Sequence, residues 1–351
     1  MLNRRQWLWG IGSAPLSGLL PALAQEAPDF GALKQGYAQR LKKLLAQGVV
    51  PYVDLESSCN SQRFDMDAFA RDMDSLGIGL TAMSADIGRA QYAQGVRYDD
   101  LSGRLLARHP SHFIPVGNGG QGPCFLETPS EFLAAQEAAW AQGKILLLGE
   151  YEFRHYPSPR QVRRGGEEES ERDVNIPIDG PAGHQLFMFS EKTGGAFQIH
   201  YEIEDALLPA LERMLTQYPK ARVIWCHLAQ IRYIERAPQY GPAYVESLIK
   251  RFPNLHWDTA FGSPKSVYPV SGQRQARVWD GGDTLKSEWK DLLVAYPGRF
   301  VSALDLGADR MDKLQRYDAV QRNFLGQLPR EVQHRIAYGN AWELLFGEAF
   351  S

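Results

Sequence analysis

Only three cysteines occur in 351 residues, too few for a disulfide framework to hold a fold together. Cys226 lies inside an apolar run and reads as core. Cys59 and Cys124 each follow an expected strand, and pairing in an oxidising compartment and two free thiols both remain open. The chain also lacks an excess of charge of one sign. Its 38 Lys and Arg stand against 41 Asp and Glu, a formal net charge of -3, which gives no ground for nucleic acid or an acidic membrane surface as a partner. No internal repeat or low-complexity domain breaks the sequence. Beyond the first 24 residues there is no long hydrophobic run, so no stable membrane anchor is expected once that segment is removed.

The first 24 residues differ from the rest. Asn3-Arg4-Arg5 give a positive start, a mostly apolar run follows from Trp7 to Leu23, and Ala22-Leu23-Ala24 is a small-x-small cleavage site. Residues 1–24 therefore read as a signal peptide, with a mature chain from Gln25 and a periplasmic or secreted destination. Arg4-Arg5-Gln6-Trp7-Leu8 resembles a twin-arginine signal, which exports proteins already folded; an ordinary Sec signal or an uncleaved anchor is the alternative.

From Gln25 onward, short apolar runs alternate with amphipathic stretches, the pattern of repeated βα units. Strands are expected at residues 49–54, 78–83, 113–117, 145–148, 196–200, 222–227, 255–259 and 300–305. Helices are expected at 66–76, 129–142, 203–218, 241–251, 287–296 and 310–326, where apolar positions recur at three and four. Eight strands point to a (β/α)8 TIM barrel forming one domain over residues 25–351. Two connections are long. Residues 151–194 include the charge-rich run from Arg163 to Glu169, and residues 261–285 carry Lys265, Arg274 and Arg277. Both follow strands and so belong to the face where barrels place their active sites, as lids or as solvated loops.

The strand ends are unusually polar. The first continues into Asp54-Leu55-Glu56-Ser57-Ser58, the fourth into Gly149-Glu150-Tyr151-Glu152, the fifth ends in His200, the sixth in His227, the seventh offers Asp258 and the eighth ends in Asp305. In a parallel barrel these ends converge, and two imidazoles among carboxylates can hold a divalent ion. Singly, each residue could equally cap a helix or bond to backbone. Tyr151, Tyr156, Tyr201 and Trp225 lie near the same mouth, with core packing the default for Trp225.

In chain order, Met73-Asp74-Ser75-Leu76-Gly77-Ile78, Arg108-His109-Pro110-Ser111-His112-Phe113, Phe197-Gln198-Ile199-His200, Val223-Ile224-Trp225-Cys226-His227-Leu228, Phe252-Pro253-Asn254-Leu255-His256-Trp257-Asp258, Tyr296-Pro297-Gly298-Arg299-Phe300 and Ile336-Ala337-Tyr338-Gly339-Asn340-Ala341 resemble segments of the amidohydrolase-related family. These are metal-dependent hydrolases and decarboxylases on the distorted barrel of the amidohydrolase superfamily. The resemblance implies that His200 is a metal ligand and that His227 is a ligand or a substrate-polarising catalytic group. It also implies that Asp305 binds the metal or takes the proton from its water, while Asn340 closes the barrel. The departure is on the first strand, where the family places two histidines two residues apart after an Asp. Here Asp54 is kept and Glu56 and Ser58 stand at those positions.

Three readings stay open. In the first, a divalent metal (Zn, Mn or Fe) is held by some of Glu56, Glu150, His200, His227 and Asp305, an oxygen-rich shell suited to manganese or iron, and an ester, lactone or amide of a small molecule is hydrolysed. In the second, metal is absent and His227, His200 and Asp305 act as acid and base in a lactonase- or decarboxylase-type reaction, with Arg154 holding a carboxylated substrate. Glu152 joins Arg154 as a candidate substrate-binding residue. In the third, the barrel is a binding protein without catalysis. Monomer or homo-oligomer is equally open.

Overall fold

The computed structural model describes residues 28–121, 124–157, 172–229, 233–267, 276–307 and 310–351, together with Gly166, Gly272 and Arg274. The expected signal peptide and nearly all of the run from Arg163 to Glu169 lie outside the described residues. The chain alternates helices with eight strands. These are β1 (Val53–Cys59), β2 (Leu80–Ala85), β3 (Leu147–His155), β4 (Val174–Asn175), β5 (Ala196–Tyr201), β6 (Arg222–Trp225), β7 (Leu255–Asp258) and β8 (Phe300–Val301).

Among the described residues the strands form two sheets rather than one closed barrel. β1 and β2 pair in parallel, and a six-stranded sheet runs in the order β4-β3-β5-β6-β7-β8, parallel except for β4. Single parallel bridges stand at the seams. Ser57 meets Leu306, Thr81 meets Phe113, and Val116 meets Leu147. The expected third strand, 113–117, is thus present only as isolated bridges, because Pro115 removes a donor in the middle of the run. The expected eighth strand stops at Val301, beyond which the amides of Ser302 and Leu304 donate to the Ile336 carbonyl and the Asp54 carboxylate, and the backbone is left-handed at Asp305 (φ 51°). Conversely, β1 and β3 run further than expected. All seven residues of β1 and all nine of β3 are buried, so Glu56, Ser58, Glu150, Glu152 and Arg154 sit inside strands rather than in loops after them.

Helix α1 (Phe30–Ala46) is an addition to the expected elements. Asp29 caps it, accepting from the amides of Gly31 and Ala32 at 2.8 and 3.1 Å, and Leu33, Tyr37, Leu41 and Leu44 bury one stripe. Tyr37 donates to the Phe113 carbonyl, tying this helix to the seam segment. Helix α2 (Met66–Leu76) begins at Asp65, whose carboxylate accepts from the Ala68 amide, and ends at the left-handed Gly77. Asn340, expected to cap a helix and close the barrel, donates to the carbonyls of Pro297 at 2.6 Å and Phe300 at 2.7 Å and is the first residue of the last helix rather than its cap. All three cysteines are buried free thiols in this structure.

Candidate metal centre

Five strands bring their polar ends together at the exit side of the sheets. Asp54 anchors the arrangement. Its carboxylate accepts from the amides of Leu304 (2.9 Å) and Glu56 (3.3 Å) and from the Ser57 hydroxyl (2.7 Å), locking β1 to the segment after β8. Gln198 crosses the interior from β5 to donate to the Leu55 carbonyl at 2.8 Å. Asp258 at the end of β7 accepts from the amides of His227 (2.8 Å) and Ala260 (3.0 Å). It thereby holds His227 in a left-handed conformation at φ 62°. Among the described residues only His227, Ala229 and Asp305 are non-glycine residues with positive φ, and all three lie at these exits. Such strain persists where the surroundings over-determine it, and it concentrates at functional sites.

At the centre three ligand atoms form a triangle. Glu150 Oε1 lies 3.1 Å from His200 Nδ1 and 2.9 Å from His227 Nε2, and the two nitrogens are 2.9 Å apart. Ligands at right angles around an ion about 2.1 Å away stand about 3.0 Å from one another, so the triangle has the size of one face of a coordination shell. The second nitrogen of His227, Nδ1, donates to the Ala260 carbonyl at 2.9 Å and so orients the ring, as the supporting bonds of metal-ligating imidazoles do. Two overlapping groups could also hold an ion: His155, His200 and Glu202, and Glu56, His227 and Asp258.

Burial opposes charge at every member of the triangle, yet Glu150 stays ionised, held well below the usual carboxylate range by the imidazoles of His227 and His200. Burial likewise opposes protonation of the rings, and Glu150 outweighs it, raising His200 to about 9 and His227 well above its ordinary value. The 2.9 Å gap between the two nitrogens admits one proton and not two. A single divalent cation would meet all three lone pairs at once. Glu56 behaves oppositely. Burial and then the charge of Glu150 push its carboxyl well above the ordinary range, and its Oε2 is buried without a partner among the described residues.

The candidates from the sequence separate into two sets. Glu56, Glu150, His200 and His227 come together. Asp305 lies beside them, and its charge raises His227 and Glu56, but its Oδ1 accepts from Arg310 Nη2 at 2.9 Å and it joins none of the metal-capable groups. Glu152 receives both terminal nitrogens of Arg172, at 2.8 and 2.6 Å. Arg154 is engaged elsewhere, with Glu204 (3.0 Å), Asp173 (2.9 Å) and the Val174 carbonyl (2.8 Å), where it fixes β4 against β3. One face of its guanidinium also lies over the Tyr156 ring, 3.5 Å from the centroid. Arg172, Arg310, Glu202 and Asp86 are site residues that the sequence reading missed. Glu202 carried a signal, standing two residues beyond His200 on the same strand side; Arg172 carried none, because it returns to the site from a long connection.

None of the family models matches the chain, and no curated protein matches it. Solved structures do. A 2,6-dihydroxybenzoate decarboxylase from Rhizobium superposes with a TM-score of 0.51 at 12% identity, covering 84% of this chain and 98% of that one. A dihydroxybenzoic acid decarboxylase from Polaromonas with bound manganese and 2-nitroresorcinol gives 0.48 at 12% identity, over 85% and 98%. An amidohydrolase from Burkholderia multivorans with bound zinc gives 0.44 at 13% identity, over 84% and 99%. What is shared at 12% identity is the architecture, so this mixed α/β chain has the fold of the Rhizobium decarboxylase.

Proposed function

We propose that the protein is an exported enzyme in which Glu150, His200 and His227 hold one divalent ion, and that it hydrolyses an ester, lactone or amide of a small molecule. The observation that carries this reading is the triangle of ligand atoms 2.9 to 3.1 Å apart. The donor set fits such an ion: one carboxylate kept ionised and two imidazoles, one of them oriented by a carbonyl. A divalent ion there supplies Lewis-acid polarisation of a carbonyl oxygen and acidifies water. The chain's own groups do the rest. Asp305, whose Oδ1 pairs with Arg310 at 2.9 Å, would accept a proton beside His227. Glu56, whose carboxyl burial pushes well above the ordinary range, would hold one. Metal analysis of the purified mature protein, with an esterase, lactonase and amidase screen of wild type and His200→Ala, tests the reading. Stoichiometric metal and activity that vanish together in the variant are expected. Activity without metal would move the chemistry to acid and base groups alone, and neither metal nor activity would leave a binding protein.

Decarboxylation of a carboxylated small molecule is the second reading. The similarity in fold to the Rhizobium enzyme favours it. Release of carbon dioxide from 2,6-dihydroxybenzoate, without consumption of ester or amide substrates, would put it first.

A further inference from the structure

His200 turns Nδ1 toward Glu150 and His227, and its other nitrogen, Nε2, lies 3.4 Å from Glu202 Oε1. We propose that His155, Glu202 and His200 Nε2 form a second metal site, for a nitrogen-preferring ion of the zinc or copper class, so that His200 stands between two ions with one nitrogen toward each. The inference rests on the triangle reading at His200 alone and uses no residue of the first strand.

Strand pairing brings the three residues together. β3 and β5 run parallel with Glu152 opposite His200, and the Glu202 amide donates to the Arg154 carbonyl at 3.0 Å, which carries the pairing one residue past β5. His200 and Glu202, two apart on this extended chain, share one side of it. His155 ends β3 beside them, its ring centroid 4.8 Å from that of His200. All three are buried, and one ligand atom from each lies within 4.8 Å of the other two. Ligands at tetrahedral angles around an ion about 2.1 Å away stand about 3.4 Å apart. The 3.4 Å between His200 Nε2 and Glu202 Oε1 matches that edge, whereas the triangle has the shorter spacing of right angles. Two imidazoles and one carboxylate are a donor set that zinc accepts with a position left open.

Both outer ligands are held as metal ligands are. A carbonyl can only accept, so His155 Nδ1 is the N–H, donating to the Arg172 carbonyl at 2.8 Å, and the lone pair of the ring lies on Nε2. Glu202 Oε1 is steadied by the Tyr156 amide, which donates to it at 3.0 Å. The His155 lone pair already faces a cation, because Arg172 Nη2 donates to it at 2.9 Å. That nitrogen carries two hydrogens and gives the other to Glu152 Oε1 at 2.6 Å, while Nη1 donates to Oε2 at 2.8 Å. A divalent ion can therefore take the imidazole lone pair from the guanidinium while Arg172 keeps both oxygens of Glu152. As the second ion binds, the remaining ring proton of His200 leaves to solvent. The imidazolate then joins the two ions, about 6 Å apart across the ring and two bonds of about 2.0 Å.

Full-length mature protein, stripped with chelator, would be loaded with zinc and its metal counted after desalting, then loaded instead with copper(II) and read by electron paramagnetic resonance. Two equivalents are expected in wild type, and one in each of Glu150→Gln, His155→Gln and Glu202→Gln. With copper, the wild-type signal should lose most of its intensity through coupling across the shared ring, and each variant should show the full signal of one isolated ion. Arg172→Gln removes the competitor for His155 Nε2 and should tighten the second equivalent about tenfold; it decides the matter if His155→Gln does not fold, and an unchanged affinity there would count against the site. One zinc in wild type, lost in Glu150→Gln and kept in His155→Gln, would overturn the inference and leave the triangle standing. One zinc lost in His155→Gln and kept in Glu150→Gln would uphold the outer ion and sink the triangle. Two coppers with uncoupled signals would also overturn the inference, since His200 would not then be shared.

Discussion

Metal loading at the imidazole triangle should strengthen about tenfold per pH unit from pH 7 to about 9 and then level off. A metal needs the lone pair of His200 Nδ1, and Glu150 raises that imidazole to about 9 against burial, which opposes it. At pH 7 the ring is two units below its midpoint, so displacing its proton costs about 2.7 kcal/mol, or about 100-fold in affinity. His227 is raised as well, but the 2.9 Å between the two nitrogens leaves space for one proton, so the slope should be one and not two. The same proton stabilises the metal-free fold. Because the folded value lies above the ordinary 6.5, that stabilisation is complete below about pH 6.5 and lost as pH rises through about 9, with an upper size of about 3.4 kcal/mol. Asp54 adds to the trend. Burial raises it from 3.8 to about 7, so its own loss of stability falls between about pH 3.8 and 7 and reaches only the start of the His200 window. Metal-free protein should therefore melt lower at pH 9 than at pH 6, whereas excess metal should offset the loss. Chelator competition from pH 6.5 to 9.5, corrected for the chelator's own protons, and melting curves with and without metal read both effects. A flat affinity profile would refute the raised imidazole; a slope of two would refute the shared proton.

Arg310→Ala removes the 2.9 Å partner of Asp305 and should lower kcat roughly 10- to 100-fold with little change in KM, Lys partly restoring it; an unchanged kcat would separate Asp305 from the reaction. Asn340→Ala strips donors from the Pro297 and Phe300 carbonyls and should cost about 2–4 kcal/mol in urea unfolding without altering metal content. Arg154→Ala leaves Glu204 and Asp173 without their guanidinium and should cost about 2–4 kcal/mol of stability with KM within about twofold of wild type. A large rise in KM would return Arg154 to the substrate.

The order of elements and the imidazole pair were legible in the sequence because both depend on local pattern. His200 and His227 close apolar runs, and Glu150 follows one at the same offset. The stripe Leu33, Tyr37, Leu41 and Leu44 was equally readable, with spacings of four, four and three that mark α1. What escaped depends on partners far apart in sequence. The charged tail of β3 reads as a loop until Arg172 supplies the counter-charge that lets Glu152 be buried inside a strand. The seam at 113–117 reads as a strand by apolarity, and only the backbone pairing reveals single bridges there.

Glu56 and Ser58 stand where the resemblance expects two histidines, and the structure changes what that substitution means. Two imidazoles would have brought donors able to carry positive charge to the first strand. In their place the exits hold Glu56, Glu150, Asp258 and, behind Ser58, Asp86, all buried or nearly so, with Glu56 and Asp86 each keeping an unpaired oxygen. The pairing at Arg172 and at Arg310 answers Glu152 and Asp305, not these four. Burial raises the carboxyls of Glu56, Asp86 and Asp258 and so favours their neutral forms, while Glu150 is answered by His227 and His200, with left-handed backbone at His227 and Asp305 beside them. The altered first strand thus brings an oxygen donor, Glu56, to His227 and Asp258, one of the groups that could hold an ion.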